Sequence, residues 1–122
     1  MTILDNIVYD KRIEVDLRKS LIPVKQLEAS VLFHRNTISL AANLRQSDSG
    51  IIAEHKRRSP SKSVINQNLN VFDVAKGYEE AGVCGMSVLT DSKYFGGSLD
   101  DLLIARASCS LPLVRKEFII DA

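Results

Sequence analysis

From Gly50 onward the sequence repeats one plan: a short apolar run, a polar loop, a helix-like stretch, then another short apolar run. The runs occupy residues 51–55, 84–90 and 111–120, and the stretches between them occupy 71–81 and 99–107. Run starts near 51, 85 and 112 leave spacings of 34 and 27 residues, which suit a crossover to a parallel neighbour and are far too long for a hairpin. The order predicts βαβαβ with three parallel strands. Gly82 stands where the first of these helices would end, and Ser98 stands before Leu99, Asp100 and Asp101 as the N-cap of the second.

The first 49 residues read differently. Leu4, Ile7, Val8 and Val15 share one face at helical spacing, which predicts a helix over 2–20, with Asp10, Lys11, Arg18 and Lys19 off that face. A short second helix begins near Pro23 and a third spans 39–45, before the breaker run Gln46-Ser-Asp-Ser-Gly50. The expected organisation is a helical extension over 1–49 and a βα portion over 50–122. In an α/β barrel eight βα units of ~30 residues need ~240, so this chain of 122 residues writes about three of eight strands. The fold class expected is α/β, the N-terminal part of a (β/α)8 TIM barrel with a helical N-terminal extension, incomplete as written.

Charge narrows the function. Sixteen Lys and Arg against fifteen Asp and Glu give +1, a balance that argues against a nucleic-acid partner. No apolar run reaches the ~20 residues that span a bilayer, and the start Met-Thr-Ile-Leu-Asp lacks a signal-peptide layout, so no membrane partner and a cytoplasmic location are expected. Cys84 and Cys109 lie far apart without a CxxC, and His34 and His55 add no ligand spacing, so neither a disulfide nor a metal site is expected.

The residues that carry chemistry sit at the ends of the predicted strands. Side chains alternate along a strand, so Ile52, Glu54 and Lys56 share one face and Ile51, Ala53 and His55 the other. A carboxylate and an ammonium thus meet at i and i+2, at the carboxyl end where ligands of α/β sheets and barrels collect. The basic run 55–58 reads equally as a solvated turn; a nuclear-localisation or kinase-target reading is opposed by the buried-strand pattern just before it. Lys116 closes the third run on the face opposite Leu113. Lys56 and Lys116 would converge on one mouth and draw an anion, and lysine suits proton transfer there. After the second run, Tyr94 and Phe95 either lie over an aromatic ligand or cap the core, and Gly96-Gly97 lacks the spacing of a nucleotide fingerprint.

Three blocks, Ile51-Ile-Ala-Glu54-His-Lys56-Arg-Arg-Ser59-Pro60-Ser61-Lys62, Ser87-Val-Leu-Thr-Asp91-Ser-Lys-Tyr-Phe95-Gly-Gly97-Ser98 and Leu111-Pro-Leu-Val-Arg-Lys116-Glu-Phe118-Ile, together resemble the indole-3-glycerol phosphate synthase family in order and spacing. The resemblance covers essentially this whole chain and the front half of the family's length. It implies a lyase of tryptophan biosynthesis that converts 1-(2-carboxyphenylamino)-1-deoxyribulose 5-phosphate to indole-3-glycerol phosphate, carbon dioxide and water, with no cofactor. It also implies roles. Lys116 would be the general acid, Lys56 would hold the departing carboxylate or assist dehydration, and Glu54 would orient Lys56. Ser59 would meet the anionic part of the substrate, and Pro60, Phe95 and Phe118 would form a slot for the aromatic ring. Ser63 departs from the glycine common in the family, and the family's later-strand carboxylate base and phosphate site have no counterpart among these residues. The partner implied is an anionic phosphosugar. A second reading is a non-catalytic barrel portion that binds anions or self-associates through exposed sheet edges.

Overall fold

The computed structural model describes residues 1–122 as two compact units, Met1–Asn36 with Phe118–Ala122, and Thr37–Glu117. In the first unit, α1 (Ile3–Leu21) is opened by a capping box in which Thr2 and Asp5 satisfy each other's backbone amides, and α2 (Val24–Glu28) follows Pro23. Lys19 Nζ meets Asp121 Oδ2 at 2.9 Å within this unit. Lys11, expected off the apolar face of α1, is buried beside Ile7 and pairs with Glu14 at 2.9 Å. Its position four residues after Ile7 puts it one turn along the same face, and a lysine stem covers apolar surface as a methylene chain does.

In the second unit, α3 (Leu40–Gln46) precedes β1 (Ile52–His55), α4 (Val71–Glu80), β2 (Gly85–Leu89), α5 (Leu99–Ser108) and β3 (Leu113–Lys116). The strands form one parallel sheet in the order β1-β2-β3, so β2 is central and the outer strands each pair on one side. Both predicted caps are present: Ser98 Oγ accepts from Asp101 N–H at 3.1 Å, and Gly82 takes φ +81° just past α4. Strand β3 stops well short of the predicted 111–120. Pro112 contributes only its carbonyl, to Met86 N–H at 3.0 Å, and the last bond on this side of β2 runs from Thr90 N–H to Lys116 O.

The two faces of the sheet do different things. Met86 and Val88 of β2 pack with Val71, Ala75, Ala105 and Leu111 to form the core beneath α4 and α5, and His55 lies on that side as well. The opposite face carries Glu54, Ser87, Val114 and Lys116, with Glu54 and Ser87, and Ser87 and Val114, as register partners. At the amino end of this second face, Leu40 of α3 lies against Gly85, where a Cβ would come within 2.5 Å of Leu40 Cδ1. Asn43 Nδ2 donates to Cys84 O at 3.2 Å nearby. In the packing, α3 lies with the sheet, in the unit Thr37–Glu117.

Candidate active site

Strand parity brings three of the predicted residues together. Glu54 and Lys56 leave the end of β1 on one face, and Lys116 leaves the end of β3 on the same face. Glu54 Oε2 accepts from Lys116 Nζ at 2.9 Å and from Ser87 Oγ at 3.0 Å, while Lys56 Nζ stands 3.5 Å from Oε1. One carboxylate therefore bridges two ammonium groups. Partial burial pushes the Glu54 pKa up, but the hydrogen bonds from Lys116 and Ser87 and the charges of both lysines outweigh it and hold the carboxyl below its usual value. The carboxylate is charged at neutral pH and stands between the two lysine side chains.

Such a cluster contributes little to stability. Lys116 is 55% exposed and Glu54 29% exposed, and ion pairs this open to water contribute about 0–1 kcal/mol. What the arrangement provides is cations at a strand mouth, able to trade Glu54 for an incoming anion. Lys56 has a second neighbour: its Nζ lies 5.5 Å from the centroid of the Phe95 ring.

Phe95 reaches this position through the loop after β2. Asp91, 1% exposed, accepts from Tyr94 N–H at 2.7 Å and Phe95 N–H at 3.1 Å on its Oδ2, and its own carbonyl accepts from Gly97 N–H at 2.7 Å. Gly97 is held so tightly that a Cβ there would collide with the Leu89 carbonyl oxygen. Gly96 takes φ +67°, so the Gly pair serves a tight loop.

The loop after β1 is anchored by its two arginines. Arg57 forms a fork on Asp101 of α5, with Nε to Oδ2 at 3.0 Å and a terminal nitrogen to Oδ1 at 2.9 Å, and its other nitrogen donates to the carbonyls of Gln67 and Leu69. Arg58 donates to Ser92 O at 2.7 Å and Lys93 O at 3.0 Å. Beyond them, Ser59 and Lys62 exchange backbone hydrogen bonds across a tight turn, with Ser59 Oγ 3.2 Å from Ser61 Oγ and Pro60 exposed at its tip. Phe118 is half-buried two residues past β3 and belongs to the first compact unit.

Residue-by-residue reading missed Ser87, Asp91, Arg57, Arg58 and Asp101 as parts of the site. A polar residue inside the apolar run 84–90, two positions before Leu89 on the face shared with Glu54, was the available signal for Ser87. No group of three His, Cys, Asp or Glu residues is arranged to hold a metal ion, both cysteines are free thiols, and no helix is long and apolar enough to cross a membrane.

The profile of the family described as "Indole-3-glycerol phosphate synthase" matches residues 4–122. Proteins of that name from Bacteroides thetaiotaomicron (46% identical over 119 residues), Desulfosudis oleivorans (44% over 123) and Bacillus mycoides (46% over 121) each align with 98% of this chain. The aligned part is 46%, 47% and 44% of those relatives, so the chain spans about half the length of the curated relatives it matches. The family fold is the TIM barrel, whose strands are parallel and whose ligands gather at the carboxyl ends of the strands, as Glu54, Lys56 and Lys116 do here. With a match over almost its entire length, the chain belongs to the indole-3-glycerol phosphate synthase family.

Proposed function

We propose that these residues supply the acid and carboxylate-holding half of an indole-3-glycerol phosphate synthase site, acting on 1-(2-carboxyphenylamino)-1-deoxyribulose 5-phosphate in the cytoplasm. The observation that carries this reading is the Glu54 carboxylate bridging Lys116 and Lys56 at one strand mouth. Ring closure needs a proton delivered to the carbonyl oxygen as the aromatic carbon attacks the carbonyl carbon, and Lys116 is the donor. The substrate carboxylate must be held while the new carbon–carbon bond forms and released as carbon dioxide afterwards, and a second proton must leave with the hydroxyl as water. Lys56 holds that carboxylate, and its longer tie to Glu54 favours the exchange. Phe95, beneath the Lys56 ammonium, offers its ring face to the anthranilate ring, with Pro60 contributing to the slot and Ser59 meeting the anionic part. A cation set against a developing alkoxide or a departing anion stabilises the transition state more than the ground state.

The test grafts residues 4–122 in place of the matching segment of the Bacteroides thetaiotaomicron relative. The chimera is expected to form indole-3-glycerol phosphate, and Lys116→Met in it to lower kcat at least about 100-fold. A Lys116→Met chimera that turns over like its parent overturns the reading.

A further inference from the structure

Glu54 stands on β1 and Lys116 on β3, with the whole width of β2 between them. Two interstrand spacings amount to about 9.5 Å, yet the two head groups meet at 2.9 Å. They meet above Ser87, the register partner of Glu54 on the central strand, whose side chain is short enough to pass beneath them. Its hydroxyl donates to Oε2, the oxygen that also receives Lys116. The nearer cation along the chain is Lys56, two residues away on the same strand and face, and it is left with the longer 3.5 Å approach. Proximity in sequence favours the Lys56 pair; the observed preference is the reverse, and Ser87 is the group on the central strand that draws the carboxylate across.

We propose that Ser87 is a positioning residue: its hydroxyl holds the Glu54 carboxylate over the central strand, tying it to Lys116 and leaving Lys56 loosely held. The terminal torsion of a glutamate is broad, so nothing intrinsic to Glu54 fixes this direction. Without the hydroxyl, the carboxylate swings back along β1 toward Lys56, and the two lysines exchange their degrees of restraint. The inference deepens the proposed function, since it decides which ammonium is free to receive a carboxylate ligand, and it rests on that reading only for its consequence.

The experiment is a carbon-13 NMR titration of the Glu54 side-chain carboxyl in the 122-residue chain, with the signal identified by its loss in Glu54→Gln. In the parent chain, Lys116→Met is expected to raise the Glu54 midpoint more than Lys56→Met does. In a Ser87→Ala background the midpoint rises by about half a unit, and the two lysine changes become equal or reverse in order. Ser87→Thr keeps the hydroxyl and is expected to retain the parent order, which a role for Ser87 in packing alone would not predict. The same order of lysine effects in the parent and in Ser87→Ala overturns the proposal. If Ser87→Ala does not fold, Ser87→Cys, of similar size with a weak donor, carries the same two outcomes. The titration needs no turnover, so its failure is distinct from failure of the chimera to make product.

Discussion

His55 and Glu54 are sequence neighbours on opposite faces of β1, and acid acts on them differently. His55 is 2% exposed, and its Nε2 finds no hydrogen-bond partner within the protein. Burial lowers its pKa, the Arg57 charge lowers it further, and Asp101 offsets part of this, so the net direction is down. A histidine depressed in the folded state binds its proton more readily when unfolded. Stability should therefore be fully present above the ordinary value of about 6.5 and decline as pH falls through it toward the lower folded value. Glu54 is also depressed, and its contribution is present above about 4.5 and fades below that as the carboxyl protonates. Urea unfolding midpoints measured from pH 7.5 to 4 should show two falling segments, with the upper one absent in His55→Phe; an unchanged slope between pH 7 and 5.5 in that variant contradicts the assignment. Strand parity makes the Glu54–Lys56 pair legible in the sequence itself, because alternation requires nothing beyond the local chain. Ser87 is not legible in the same way, since its part depends on which strand lies in the middle and on the register between β1 and β2.

Each loop that bears on the site is fixed to its neighbours by a distinct device. Arg57 joins the segment after β1 to α5 through two parallel hydrogen bonds, on a carboxylate only 10% exposed. Lysine cannot reproduce that fork, so Arg57→Lys should lower stability by about 2 kcal/mol and speed proteolytic cleavage within residues 59–68, both read from limited digestion and chemical denaturation. In the loop after β2, Gly97→Ala drives a methyl group into Leu89 O and forces the end of β2 to move, at a cost of about 2–3 kcal/mol. A Gly97→Ala chain that melts like the parent shows instead that the loop yields freely. Most elements could be placed from periodicity and caps, and the helix ends marked by Gly82 and Ser98 fall where their residue types require. The third strand could not be bounded in this way. Alternation continues through Glu117 and Phe118, but a strand lasts only as long as its neighbour supplies hydrogen bonds, and pairing with β2 ends at Lys116. Arg57, Arg58 and Asp101 escaped for a related reason: the Arg57–Asp101 fork and the Arg58 bond to Ser92 join residues 44 and 34 apart, and no local pattern encodes them.

At the scale of the whole chain, the proposed function asks these residues for only half of a reaction. Two ammonium groups and a carboxylate can bind an anion and deliver a proton, but a phosphosugar also needs its phosphate anchored, and the final loss of water needs a base to take a proton from the methylene carbon beside the nitrogen. The family resemblance assigns both tasks to later barrel strands, whereas the sheet here consists of β1, β2 and β3 alone. The purified 122-residue chain should therefore bind the substrate weakly and turn none of it over. Because the attraction comes from exposed cations, the Glu54 carboxyl signal should shift on adding substrate at low salt and return toward its free position as salt is raised. Appreciable product from the isolated chain would mean that groups outside the Glu54 bridge complete the site. The outer strands add a second expectation at this scale. Ile51 and Ile52 on the β1 side are 53% and 44% exposed, and β1 has an unpaired edge, so light scattering should show mass rising with concentration. Ile52→Lys puts a charge on that edge and should return the chain to monomer, whereas a parent chain that stays monomeric at every concentration shows that the edge is not used.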